Sequence, residues 1–211
     1  MAYVLGFFAA DGYITVNKRG GQFWCIQITD KKLLYKIRET ICSDHKISER
    51  IGEKRHKTQY RLQIGSIQMC SDLRRLGFAE RKTKSMSVPY IPNAYFADFT
   101  RGYFDGDGNV WTGLLHKERK NPTATLLIAF TSCSTRFLRH LHERLYNFRL
   151  GGGSMYQSKR HYARLQYSSK DSLKLYDLMY NQCDYQKNGL FLERKREVFE
   201  KYKRLKNAAV V

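Results

Sequence analysis

The chain states one pattern twice. Residues 5–12 read LGFFAADG and residues 101–108 read RGYFDGDG, so Gly6, Phe8, Asp11 and Gly12 return as Gly102, Phe104, Asp107 and Gly108 at an offset of 96. Two later pairs keep the same order: YRLQIGS at 60–66 with ARLQYSS at 163–169, offset 103, and FAERK at 78–82 with FLERK at 191–195, offset 113. Conserved order with a slowly growing offset is what loop insertions into a duplicated unit produce. Whatever the first half folds into, the second half must fold into as well.

Local patterns say what that unit is. A short apolar helix over Tyr3–Ala10 closes at Asp11-Gly12, and extended segments Tyr13–Lys18 and Gln22–Thr29 follow, separated by the hairpin signal Arg19-Gly20-Gly21. A helix capped near Thr29 or Asp30 comes next, with Leu33, Leu34, Ile37 and Ile41 at one-face spacing. The second copy repeats the strands as Asn109–His116 and Thr123–Thr131, and the stripe as Phe137, Leu138, Leu141 and Leu145. Each copy continues with a strand pair, ending near Arg61–Ile64 or Arg164–Tyr167, and a further helix. The spacing predicts an α+β chain of two αββαββα units, about 1–92 and 95–211, joined at Tyr90–Asn93 beside Pro89 and Pro92. A four-stranded antiparallel sheet with helices on one face leaves its other face open and polar, as Tyr13, Thr15 and Asn17 alternating with Ile14 and Val16 indicate.

Charge narrows the partner. Lys and Arg total 38 against 19 Asp and Glu, a net +19 over 211 residues. Residues 1–98 hold 17 basic and 9 acidic side chains, and residues 99–211 hold 21 and 10, so both halves are basic and neither is a charged tail. A polyanion such as nucleic acid is the expected partner, a signature shared with ribosomal and membrane-surface proteins. No apolar run reaches the roughly 18 to 20 residues of a membrane span, and no signal peptide opens the chain, so an intracellular, non-secreted protein without a membrane partner is expected. The five cysteines are odd in number, widely spaced and lack a CxxC pair, and read as reduced thiols rather than disulfides or a zinc site. Met1-Ala2 runs directly into the first motif, compatible with a longer reading frame.

The two motif helices carry the chemistry. Gly6 with Ala10, and Gly102 with Gly106, are small residues four apart on one helix face, which lets two backbones approach closely. Packing the helices together sets Asp11 beside Asp107. Two adjacent carboxylates repel unless a hard cation lies between them, and Mg²⁺ takes a few carboxylates plus water and phosphate oxygens. Metal-assisted phosphodiester hydrolysis suits that pairing.

LGFFAADG and RGYFDGDG resemble the signature helices of the monomeric, two-motif LAGLIDADG homing endonucleases, and the resemblance covers nearly the whole chain. It implies two pseudo-symmetric units with the motif helices at their interface and antiparallel sheets forming a DNA-binding saddle. The implied activity is site-specific, Mg²⁺-dependent cutting of double-stranded DNA at a long asymmetric target, leaving short 3′ overhangs, with Mn²⁺ or Ca²⁺ able to substitute in binding. Asp11 and Asp107 are then the catalytic acids and metal ligands, with Ala10 and Gly106 beside them in the metal site. Asp105 is accessory, because its counterpart is Ala9, where the first motif departs from the family name.

The resemblance also places Lys82 and Lys195 where the family keeps a basic residue near the active site, able to polarise the attacking water or offset charge on the phosphate. They read equally as solvated lysines, with Lys84 and Lys187 close by. Asp30 and Ser132, following the aligned Thr29 and Thr131, stand where the family holds water near the metals, with helix N-capping as the other use. Candidate DNA contacts are Thr15, Asn17, Arg19, Gln27, Arg61 and Gln63 in the first half, and Trp111, Lys117, Arg164 and Gln166 in the second. An intron RNA maturase and a non-catalytic DNA-binding regulator are the alternative functions; no splicing-block residues of an intein are visible.

Overall fold

A computed structural model of the chain describes residues 1–52, 57–80, 85–116, 118–120, 122–158, 162–181 and 189–208. The first half runs α1 (Ala2–Asp11), β1 (Gly12–Val16), β2 (Gln22–Ile28), α2 (Lys31–Thr40), β3 (Ile47–Arg50), β4 (Gln59–Gly65) and α3 (Ile67–Arg75). The second runs α4 (Asn93–Asp107), β5 (Gly108–Leu115), β6 (Thr123–Ser132), α5 (Thr135–Tyr146), β7 (Ser154–Gln157), β8 (Ala163–Tyr167) and α6 (Ser169–Tyr176). A π-helical turn at Asp177–Asn181 and a long helix α7 (Glu193–Ala208) follow α6. The strands form two antiparallel sheets of identical topology, β1-β2-β4-β3 and β5-β6-β8-β7. The expected α+β architecture is therefore present, with α7 as an addition that the first half lacks among its described residues.

The two motif helices form the middle of the molecule. α1 is apolar on every side, which suits a helix with no solvent face. It lies directly on α4: a Cβ on Gly6 would overlap the Phe99 carbonyl, and one on Gly102 would overlap the Tyr3 carbonyl. Backbones so close tolerate only glycine at the crossing. Aromatic side chains tie each helix to its own sheet, Phe8 stacking on Trp24 of β2 at 5.7 Å and Phe104 meeting Phe130 of β6 edge-on at 6.0 Å. The core continues under both sheets through Leu33, Leu34 and Ile37 of α2 and Phe137, Leu138 and Leu141 of α5, all nearly inaccessible. These are the stripes that the sequence predicts.

Strand register decides which side chains face outward. Thr15 pairs with Phe23, Gln27 with Arg61, Cys25 with Gln63 and Arg61 with Ser48, so these residues share the face away from the helices. In the second sheet Trp111 pairs with Leu127, Thr131 with Arg164 and Ala129 with Gln166, again on the open face. Every described strand residue of that parity is apolar, polar or basic; Glu49, the acidic strand residue, points to the other side with its partner Tyr60. No helix among the described residues is long and apolar enough to cross a membrane. Cys25, Cys42, Cys70 and Cys133 are free thiols, and Cys183 lies outside the described residues.

Candidate active site

Asp11 and Asp107 are the last residues of α1 and α4, each followed by a glycine that starts a strand. Those glycines are required sterically, since a Cβ at Gly12 would run into the Phe8 ring and one at Gly108 into Phe104. Near these ends the helices remain in contact: a Cβ on Gly106 would overlap the Ala10 methyl and stand 3.2 Å from Asp11 Oδ2. Both carboxylates act on the same two neighbours, holding up the proton affinities of the Tyr103 phenol and the Lys195 ammonium. Asp11 is half-buried and Asp107 exposed, so the pair opens to solvent on one side. Two carboxylates flanked by the Ala10 and Gly106 peptides form an all-oxygen donor set, which fits a hard divalent cation completed by water or phosphate oxygens. No cluster of three or more His, Cys, Asp or Glu suited to a metal exists among the described residues, so other ligands would come from the backbone, water or substrate.

Behind this pair lies a buried polar layer. Lys195, 6% exposed, donates from Nζ to the carbonyls of Phe104, Asp105 (2.8 Å), Gly106 (3.4 Å) and Gly108 (2.6 Å). Burial pushes its pKa down to about 8, opposed chiefly by the Asp105 charge. Asp105 is 1% exposed; its Oδ2 accepts from the Tyr3 hydroxyl (2.7 Å) and the Leu192 amide (3.0 Å), while Oδ1 has no partner. Burial raises its pKa to about 6. Arg101, 1% exposed, donates to the Leu190 and Met179 carbonyls and to Asp98 Oδ1 at 3.0, 2.8 and 2.6 Å, and its guanidinium lies over the Tyr3 ring. Sequence reasoning passed over Arg101 and Tyr3. The signal available was a charged residue opening an otherwise apolar motif.

The remaining expectations divide by location. Lys82 and Lys117 lie outside the described residues, as do Lys84 and Lys187. Asp30 is the N-cap of α2, its Oδ1 accepting from Leu33 N at 2.9 Å, and it also lines a cleft of about 330 Å³ with Lys32, Lys36, Phe191 and Arg194. The cap that α5 uses is Ser134, whose Oγ accepts from Phe137 N (3.2 Å) and donates to the Met86 carbonyl (2.6 Å). Ser134 is thus the counterpart of Asp30. The alignment of Thr29 with Thr131 is two residues out of register, and Ser132 sits one strand position earlier than Cys133, facing the core. Ser132 accepts from Ser134 N (3.1 Å) and bonds to the Tyr103 hydroxyl, which itself donates to the Thr131 carbonyl at 2.8 Å.

Asn17 is occupied by its own turn, its Oδ1 accepting from Arg19 N (3.0 Å) and Gly21 N (2.8 Å). Arg19 is exposed on that turn. Thr15, Gln27, Arg61, Gln63, Trp111, Arg164 and Gln166 all fall on open sheet faces, with Gln27 bonded to Gln59.

Comparison with known proteins identifies the fold. Residues 1–77 match the family model described as a LAGLIDADG-like domain. No curated protein sequence matches the chain. Among solved structures, the I-LtrWI LAGLIDADG homing endonuclease bound to target DNA is 12% identical with a TM-score of 0.62, over 97% of this chain and 88% of that one. Meganuclease I-SmaMI, bound to uncleaveable DNA, gives 15% and 0.60 over 99% and 96%, and LAGLIDADG meganuclease I-AabMI, bound to uncleaved DNA, gives 14% and 0.62 over 98% and 90%. I-SmaMI has also been solved on its uncleaved target in the presence of calcium ions. Residues 1–77 thus match a LAGLIDADG-like domain, and the chain as a whole has the fold of the LAGLIDADG homing endonucleases.

Proposed function

We propose that the chain is a monomeric, site-specific DNA endonuclease that uses Mg²⁺ to hydrolyse one phosphodiester in each strand of a long asymmetric target, leaving short 3′ overhangs. The observation that carries this reading is the pairing of Asp11 and Asp107 at the ends of two helices packed through Gly6 and Gly102. Mg²⁺ bound there would supply an acidified water and charge neutralisation at the scissile phosphate. Asp11 and Asp107 hold the ion, with the Ala10 and Gly106 peptides beside them. In the water network around it, Asp30 acts from the half-buried N-cap of α2 and Ser132 from the core through the Tyr103 hydroxyl. The open sheet faces, carrying Arg50, Arg61 and Arg164 and no described carboxylate, supply the DNA-binding surface. Relatives of this fold solved on DNA support the same reading.

The decisive experiment selects cleaved sequences from a randomised double-stranded library with Mg²⁺, and repeats the reaction with Asp11→Asn and Asp107→Asn. Either substitution keeps the shape and removes a charge needed for the ion, so cutting should collapse while DNA binding survives. Near wild-type cutting by both variants would refute the assignment. Failure of the wild type to cut any sequence, with RNA splicing activity or plain DNA binding retained, would favour the maturase or regulator reading.

A further inference from the structure

Lys195 is surrounded by more acceptors than it has protons. An alkylammonium carries three N–H bonds. Four carbonyls lie within 3.4 Å of Nζ, and the closest three, from Phe104, Asp105 and Gly108, account for all three protons. The side chain is 6% exposed and passes over the Phe104 ring at 5.0 Å. No proton is left to reach a water or a phosphate oxygen.

The acceptors have a common origin. They belong to the last turn of α4 and the residue after it, where a helix runs out of intrahelical donors for its carbonyls; the Phe104 carbonyl also accepts from Gly108 N. A cation there also complements the negative end of the helix dipole. The four carbonyls bracket Asp107, so Lys195 fixes the backbone on both sides of the metal-binding carboxylate. α7, which delivers the lysine, is itself anchored, since Leu192 N donates to Asp105 Oδ2 and Lys195 N to the Leu192 carbonyl, each at 3.0 Å.

We propose that Lys195 is a positioning residue: it caps α4 from another helix and holds the Gly106 carbonyl and Asp107 in the arrangement that receives the divalent ion. It does not exchange a proton with the reacting water. The proposal rests on the metal-site reading above, and it predicts a defect in metal affinity rather than in the chemical step.

Lys195→Met removes the charge at nearly constant length, and three measurements follow. Without metal or DNA, amide exchange at Gly106, Asp107 and Gly108 should quicken at least ten-fold. Titration with Tb³⁺, read by luminescence sensitised from neighbouring tyrosine and tryptophan, should show affinity about 10- to 100-fold weaker, the range for lost outer-shell partners. Cutting should be lost at low Mg²⁺ and largely recovered at saturating Mg²⁺. If Lys195→Met folds poorly, Lys195→Ala with added propylammonium provides the second arm: the cation should restore Tb³⁺ affinity and amide protection, and neutral propanol should not. The proposal is overturned if Tb³⁺ affinity and amide exchange match the wild type while cutting is lost at every Mg²⁺ concentration. A wild-type protein that binds no Tb³⁺ would instead sink the metal-site reading, and the proposal with it.

Discussion

Asp105 is the most deeply buried carboxylate among the described residues, and it gives the protein an acid-side signature. Its pKa is about 6 in the folded chain against 3.8 when exposed, so between those values the folded state binds the proton and the unfolded state releases it. Stability therefore falls as pH rises from about 4 to 6. Lys195 has the opposite displacement, from 10.5 down to about 8, so its folded form sheds the proton first and stability rises from about pH 8 to 10.5. Together they predict a minimum between pH 6 and 8, each limb on the order of 3 kcal/mol, measured by urea unfolding without metal. Asp105→Asn should abolish the acid limb and, by removing the charge that holds the Lys195 pKa up, make the basic limb begin at lower pH. It should leave most cleavage intact, because Asp105 faces Tyr3 and Leu192 rather than the ion, and its counterpart is already Ala9. An unchanged acid limb in Asp105→Asn would contradict the assignment.

At the scale of elements, the α1–α4 crossing and the matched strands β4 and β8 make different demands. Gly6→Ala would drive a methyl into the Phe99 carbonyl, so the helices must separate, and overpacking of this kind costs about 1–3 kcal/mol or more. An unshifted urea midpoint would mean that the helices do not meet this way in solution. On the sheets, Arg61 and Gln63 of β4 occupy the positions of Arg164 and Gln166 in β8, opposite Gln27 and Thr131 or Cys25 and Ala129. Such matched pairs should read matched positions in the two halves of the target. Arg61→Ala and Arg164→Ala should each relax specificity at one base pair, by about 1–3 kcal/mol, at mirrored distances from the cleavage centre. These elements were legible because periodicity records burial: both hairpins, the α2 and α5 stripes and the two Asp-Gly helix ends follow from residue type alone. The Ser134 cap was legible too, since the helix stripes run at an offset of 104, but the similarity of Thr29 to Thr131 pointed two residues away. The carbonyl cradle of Lys195 was not legible, because it joins groups about 90 residues apart through backbone atoms that no sequence pattern encodes. Arg101 was hidden for a similar reason, its partners at Met179 and Leu190 being main-chain carbonyls.

For the whole molecule, the question is where a charge of +19 acts, because the described open faces hold only three arginines. The hairpin connections answer it. Between β1 and β2 lie Lys18 and Arg19; between β3 and β4, Lys54, Arg55 and Lys57; between β5 and β6, Lys117, Arg119 and Lys120; between β7 and β8, Lys159 and Arg160. Every hairpin thus carries two or three basic residues at its connection, while the open faces of its strands carry mostly uncharged groups, with Arg50, Arg61 and Arg164 as their charges. On the DNA-binding reading proposed above, such a division predicts phosphate contacts at the connections and base contacts on the strands. Binding should weaken steeply with salt, log K falling by about 0.9 for each phosphate neutralised. Replacing Lys18 and Arg19 together by Gln should lower that slope by roughly 2 and weaken all sequences alike. Arg164→Ala should do the reverse, relaxing base preference with a slope changed by less than about 1. The measurement is a set of equilibrium binding curves on target and scrambled duplex across a salt series. A Lys18/Arg19 variant that loses discrimination while keeping its slope would reverse the assignment of connections and strands.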